Sequence, residues 1–198
     1  MNLEVAAWQR QRSRVVADCR IFTVNESTSL SPITQQAHQF YFLDTADWVN
    51  VVPITADNEV VLVRQFRHGS ERITLEIPGG MVDPGEQPVV AAARECLEET
   101  GYVVGELVSL GCLNPNPAIF QNRLHTWLAP VVHSGAGIDN QSTEHTEVQL
   151  VPLAQIPELL LSGEIDHALV VATLVRPTPP NKGRTEANKD GLRPIRTY

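Results

Sequence analysis

GGMVDPGEQPVVAAARECLEETGY, residues 79–102, sets five carboxylates (Asp83, Glu86, Glu95, Glu98 and Glu99) beside a run of alanines and valines, with Arg94 as its single cation. Like charges at helical spacing destabilise a helix by a few tenths of a kcal/mol per pair, so something has to compensate. The candidates are solvent, arginine or a bound cation. Local signals place most of the stretch on a helix: Pro88 suits a first helical position, Val89 to Thr100 carry the pattern, and Gly101 stands where a left-handed C-cap belongs.

On a wheel of about 100° per residue, Glu95, Glu98 and Glu99 share one side around Ala91. Val89, Val90, Ala92, Ala93, Cys96, Leu97 and Thr100 fill most of the opposite arc, which predicts a packing face and a carboxylate face. Arg94 sits at the border, in reach of a neighbouring carboxylate. A solvated acidic face is the plain reading of such a pattern. Three features count against it: the face lacks the lysines that usually alternate with glutamates, a Gly79-Gly80 turn lets backbone approach a ligand, and Glu86 in the entry loop can point back toward the helix. Several carboxylates with a free carbonyl make the hard, oxygen-rich site that Mg²⁺ or Mn²⁺ prefers.

Outward from this helix the chain is strand-rich. RVVADCRIFTV (14–24), HQFYFLD (38–44), WVNVVPIT (48–55), EVVLVRQF (59–66) and ITLEI (73–77) read as strands, with TADN at 55–58 a turn. YVVGELVSLGCL and RLHTWLAPVV follow as strands around the loop NPNPAIFQN; EVQLVPL is a last strand after a polar Gly-rich loop at 134–146. IPELLLSG and DHALVVATLVR read as closing helices, with Asp166 the expected N-cap of the second. From Pro177 the apolar periodicity is lost and a mobile tail (177–198) is expected. The order is an α/β arrangement that is neither a repeating βαβ chain nor all-β.

Composition narrows the function. The 198 residues are 42% hydrophobic, enough for a core, and carry a net charge of -8. Residues 1–176 hold 10 basic and 21 acidic side chains, so the body stands at -11 and its overall field repels nucleic acid. Cys19, Cys96 and Cys112 lack zinc spacing, and reduced thiols in a cytoplasmic protein are the default expectation. No signal-peptide-like start is evident, and no run approaches the roughly 18 apolar residues of a membrane helix. A soluble protein with neither a nucleic-acid nor a membrane partner is expected.

The spacing Gly80, five residues, Glu86, seven residues, then Arg94-Glu95-Cys96-Leu97-Glu98-Glu99-Thr100-Gly101-Tyr102 resembles the Nudix hydrolase signature at every defined position. That resemblance implies an α/β/α sandwich with a mixed β-sheet over residues 46–176, plus a small β-rich N-terminal region over 1–45 that often packs or swaps across a homodimer. It implies a loop–helix–loop that binds Mg²⁺ on a diphosphate substrate, attacked by an activated water. Carried over, Glu95, Glu99 and the Gly79 carbonyl are expected metal ligands, with Glu98 ligating directly or through water. Arg94 orients the glutamates, and Glu86 binds a second metal or steadies the loop.

LVRQFRHG and LEIPGG are similar to the nucleoside diphosphate-sugar branch typified by ADP-ribose pyrophosphatases. Pro117, sixteen residues beyond Gly101, matches a proline of that branch, although the loop around it departs from the usual small-Pro-Gly form. Arg67 stands where the branch places a phosphate-binding arginine; as a bare residue it reads equally as a surface arginine. Glu76, in a short apolar strand, needs a partner, and a substrate or metal-shell role is expected. The base of this branch comes from a late loop, which points to Glu144, with Glu147 its rival. Trp48 and the aromatics Phe40, Tyr41 and Phe42 either stack a base or fill core; Asn114, Asn116 and Asn122 either touch substrate or cap their own turns. The implied substrate is ADP-ribose or a related nucleotide sugar. The alternatives are hydrolysis of dinucleoside polyphosphates or nucleoside triphosphates, or a non-catalytic nucleotide-sugar sensor.

Overall fold

The structure is a computed structural model that describes residues 5–135, 137–138 and 145–176. The chain forms two compact units, one of residues up to Ala46 with Asn114–Arg123, the other of Asp47–Leu113 with Leu124 onward.

The first unit is an antiparallel sheet in the order β1 (Gln9–Asp18), β2 (Phe22–Leu30), β3 (Ala37–Thr45). The stretch 14–24, expected as one strand, is therefore a hairpin. Its cause is local: Asp18 Oδ1 accepts the Arg20 amide at 2.9 Å, and Arg20 takes φ 69°, so the chain reverses after Asp18. Residues 114–123 join this unit through a bridge from Phe120 to Leu43.

The second unit is built on a mixed eight-stranded sheet. Its spine runs β11 (Thr146–Pro152), β5 (Glu59–Arg67), β4 (Trp48–Thr55), β10 (Leu124–Ser134), β8 (Tyr102–Val104), with β6 (Arg72–Glu76), β7 (Gly79–Met81) and β9 (Val108–Leu113) on β5, β4 and β10 respectively. β4 and β10 run parallel while their other neighbours are antiparallel. Strand alternation sorts the apolar residues onto two faces. Val49, Val51, Val61 and Ala129 pack with Ala91 and Ala92 of α1 (Pro88–Thr100). Val52, Val60, Leu62 and Leu128 pack with Ile156 of α2 (Ile156–Ser162) and with Val170 and Leu174 of α3 (Ala168–Leu174). One helix covers one face and two cover the other, the layering expected from the signature.

Details depart from the sequence reading. β7 occupies the Gly79-Gly80 segment, expected as a plain turn: Gly79 and Gly80 lie opposite Asn50 and Val49 on β4, and a β-carbon on Gly79 would collide with the Val49 carbonyl and Asn50 Oδ1. Asp166 does not cap α3; His167 holds the N-cap position without a side-chain cap bond, and Asp166 pairs with Arg72. The buried stripe of α1 is Ala91, Ala92, Glu95, Cys96, Glu99 and Thr100, leaving Val89 and Val90 exposed. The wheel is thus rotated from the expected one: two carboxylates face inward because small alanines bring the helix close to β4. Among the described residues no helix is long and apolar enough to cross a membrane.

Gly101 ends α1 at φ 71°, its amide bonded to the Leu97 carbonyl at 2.8 Å. Gly101→Ala should cost about 1 kcal/mol in urea unfolding. Gly105→Ala, where an added carbon meets only the Val131 carbonyl at 4.0 Å, should change stability by less than about 0.5 kcal/mol. Equal effects at both positions would contradict the cap.

Candidate active site

Arg94 is the hub of the helix–loop. Its Nε and Nη2 clamp the two oxygens of Glu86 at 3.0 and 2.9 Å, and Nη1 donates to Glu95 at 2.9 Å and Glu98 at 3.1 Å. Nη2 also donates to the Met81 carbonyl at 3.0 Å, so all five guanidinium donors are engaged. The bond to Glu86 does most to hold Arg94 in its charged form, opposed by burial and reinforced by Glu95. In return Arg94 holds the Glu86 carboxyl below its ordinary range, and Glu86 Oε2 accepts the Asp83 amide at 3.1 Å. Glu86 thereby fastens the entry loop to the helix.

Glu95 and Glu99 are buried, at 9% and 6% exposure, although both are charged side chains. Burial of this kind needs compensation. Glu95 receives Arg94, and Glu99 Oε2 accepts the Gly79 amide at 2.9 Å. A β-carbon on Gly80 would overlap the Glu95 carboxylate, so the second glycine is what lets carboxylate and backbone lie side by side. Thr146 Oγ1, at the start of β11, donates to the Glu99 carbonyl at 2.8 Å and pins the helix end to the sheet. Glu98 is half-exposed at the rim. Arg94 thus gathers Glu86, Glu95 and Glu98, while Glu99 meets the Gly79 backbone next to Gly80 and the Glu95 carboxylate. Among the described residues no three acidic, histidine or cysteine side chains already converge as a cation cage. The donor set itself, all hard oxygens with a backbone cradle that only glycine leaves open, fits a divalent cation.

A second carboxylate is assembled on β5 and β6. Glu76, 2% exposed, takes Arg67 Nε on one oxygen at 2.8 Å and Arg67 Nη2 on the other at 2.7 Å. Thr74 Oγ1 donates to the first oxygen at 2.6 Å, and His167 Nδ1 meets the second at 2.9 Å. Burial pushes the Glu76 carboxyl up, but the bonds from Arg67, His167 and Thr74 outweigh it and hold it well below the usual carboxylate range. Nothing in the sequence pointed to His167, which lies 91 residues from Glu76.

Gln65, two residues before Arg67 on the same face of β5, was also passed over. Its buried Oε1 has no hydrogen-bond partner among the described residues, the kind of orphaned acceptor that marks a polar site. Period-two alternation from Arg67 was the signal that could have found it. Trp48 begins β4, half-buried, opposite Met81 and Leu124. Pro117 is exposed and belongs to the first unit, where Asn116 caps its own turn through Oδ1 and the Ala118 amide. Glu144 lies outside the described residues; Glu147 is exposed on β11. Phe40 and Tyr41 are exposed on β3 of the first unit.

The profile of the NUDIX domain matches residues 45–174. The chain belongs to the NUDIX family. It is 32% identical over 123 residues to the ADP-ribose pyrophosphatase of Bacillus subtilis (strain 168), a match covering 61% of this chain and 65% of that protein. It is 30% identical over 161 residues to the ADP compounds hydrolase NudE of Escherichia coli (strain K12), covering 80% of this chain and 85% of that one. A crystal structure of an ADP compounds hydrolase superposes with a TM-score of 0.76 at 25% identity, covering 86% of this chain and 92% of its own. This NUDIX protein is therefore related to enzymes that hydrolyse ADP-ribose and other ADP compounds.

Because Glu76 is held below its unfolded range, it binds fewer protons in the folded state. Its contribution is complete above the ordinary carboxylate pKa and is lost as pH falls through that range. Glu76→Gln should therefore cost about 2 kcal/mol at pH 7, tempered by the partial exposure of Arg67. The gap in melting temperature between the two proteins should stay constant down to about pH 5 and then narrow as pH is lowered through and below the ordinary carboxylate range. A gap independent of pH would contradict an ionised Glu76.

Proposed function

We propose that the protein hydrolyses the diphosphate bond of ADP-ribose or a related nucleoside diphosphate sugar in a Mg²⁺-dependent reaction, with Mn²⁺ able to substitute. The carrying observation is the packing of Gly79 and Gly80 against buried Glu95 and Glu99, with Arg94 holding Glu86, Glu95 and Glu98 beside them. Relatives acting on ADP-ribose and ADP compounds support the substrate class.

In this reading Glu95, Glu99 and the Gly79 carbonyl hold the cation, with Glu98 and Glu86 next in order. When bound, the cation supplies charge neutralisation and polarisation of the diphosphate. The chain supplies the rest. Arg94 keeps the acidic side chains in register, and Arg67, held by Glu76, takes non-bridging phosphate oxygens. Trp48 is the base-stacking candidate of this unit, while Pro117 enters only by its spacing from the signature. Glu144, or Glu147 in its place, removes a proton from the attacking water. The oxygen of that water bonds to phosphorus, the anhydride P–O bond breaks, and a nucleoside monophosphate and a sugar phosphate leave.

A cytoplasmic homodimer belongs to the same proposal. The first unit exposes Trp8, Val15, Val16, Phe40 and Tyr41, apolar side chains that a second copy would cover. Light scattering should give twice 21.8 kDa; a monomer at micromolar concentration would remove the dimer from this account.

Product analysis with ADP-ribose, other nucleotide sugars, dinucleotides and nucleoside triphosphates, with Mg²⁺ and with chelator, tests the activity. Release of a nucleoside monophosphate only with metal is the expected result. Cleavage of triphosphates or dinucleotides alone would keep the chemistry and discard the substrate class, and tight binding without turnover would favour a sensor. Glu99→Gln should lower kcat at least 100-fold at fixed Mg²⁺; near-normal turnover would remove Glu99 from the ligand set.

A further inference from the structure

The carboxylate of Glu76 has about four acceptor positions, and four are filled: Arg67 Nε and Thr74 Oγ1 on Oε1, Arg67 Nη2 and His167 Nδ1 on Oε2. A side chain so saturated is spent on its neighbours. It has no acceptor position left for a substrate hydroxyl or a cation unless one of these bonds breaks.

The imidazole is delivered by a segment that is itself fastened. Glu164 pairs with Arg64 of β5 at 2.8 Å, Ile165 is 1% exposed in the core, and Asp166 pairs with Arg72 of β6. Three consecutive anchors thus bring His167 to the edge of the β5–β6 hairpin, where α3 begins. Arg67, by contrast, sits at the last position of β5, and its side chain is 44% exposed. Such a long side chain carries rotamer entropy that must be given up on binding an anion. A fork–fork bond to a fixed carboxylate removes that freedom in advance. The fork is only as fixed as the carboxylate, and one of the four bonds holding the carboxylate comes from His167.

We propose that His167 is a positioning residue: through Glu76 it fixes the guanidinium of Arg67 in the orientation that receives the substrate diphosphate. The inference rests on the reading of Arg67 as the diphosphate-binding arginine. Thr74 serves the same carboxylate from the strand side, so Glu76 is held from both β6 and the α3 entrance. Neither His167 nor Thr74 touches substrate in this arrangement.

The test combines kinetics with a signal that needs neither substrate nor metal. His167→Ala should raise KM for ADP-ribose roughly five- to tenfold with kcat nearly unchanged, the scale that loosening a binding group costs. His167→Asn, whose amide nitrogen reproduces the position of Nδ1, should restore most of the loss. In the wild type, the Arg67 Nε–H resonance should be sharp and slow to exchange with solvent, and His167→Ala should broaden it. In an Arg67→Ala background, His167→Ala should add almost nothing. If Arg67→Ala raises KM while His167→Ala alters neither KM nor the Arg67 resonance, the positioning role is overturned and the diphosphate reading of Arg67 survives. If Arg67→Ala itself leaves KM unchanged, the reading of Arg67 falls and the inference with it. Should His167→Ala fail to fold, His167→Asn and His167→Leu carry the same comparison: a resonance and KM alike in both would overturn the proposal.

Discussion

The close approach of β7 to both β4 and α1 is the constraint on which the second unit depends. Gly79 fits against the Val49 carbonyl and Asn50 Oδ1, and Gly80 fits against the Glu95 carboxylate, in each case where a β-carbon would overlap. The same backbone is therefore a sheet strand on one side and a wall for acidic side chains on the other. Its amide at Gly79 supplies a hydrogen bond to the carboxylate of Glu99, part of the compensation that a buried charge requires. On the opposite side of the sheet, Asn50 donates to the Leu169 carbonyl and Thr173 Oγ1, so the strand that seats the glycines is also tied to α3. Loop, helix and sheet are fixed by one short segment.

Arg94 answers the crowding of negative charge on α1. Two unit charges about 4 Å apart repel by roughly 4 kcal/mol at an effective dielectric of 20. Distributing the five donors of one guanidinium over Glu86, Glu95, Glu98 and the Met81 carbonyl lowers that cost in the protein as it stands. A lysine would carry the same charge without the planar fork that holds Glu86 by both oxygens. The arrangement steadies the loop and orients the acids together.

Much of this was legible in the sequence because it is local. Pro88 and Gly101 bound α1 as their backbone preferences require, and the strands at 48–55 and 59–67 follow from β-branched runs ended by turn residues. The misread features are settled mostly by contacts distant in the chain, the hairpin at 14–24 being a local exception. Whether 14–24 was one strand or two turned on an aspartate folding back on its own backbone. Which way α1 faces turned on alanines meeting β4 valines some forty residues earlier. The partner of Glu76 was a histidine 91 residues away that no periodicity connects to it. A motif records residue types at fixed spacing; it does not record which of its acids are turned inward.

The two carboxylate systems differ in charge balance, and that difference bears on how an anionic substrate approaches. Glu76 with Arg67 sums to zero before His167 is counted. Residues 86–101 carry four carboxylates (Glu86, Glu95, Glu98 and Glu99) and one cation, Arg94, an excess of three negative charges within a body already at -11. A diphosphate brought against that excess would be repelled by several kcal/mol at protein dielectric. One divalent cation would remove most of the excess, and hard oxygens are the donors such a cation prefers. On the proposed reading, Arg67 and the cation therefore divide the work: the arginine is preorganised and permanent, whereas the acidic side is completed only when metal is present. On that reading turnover would depend on the metal, while Arg94 already pairs with Glu86, Glu95 and Glu98 without it.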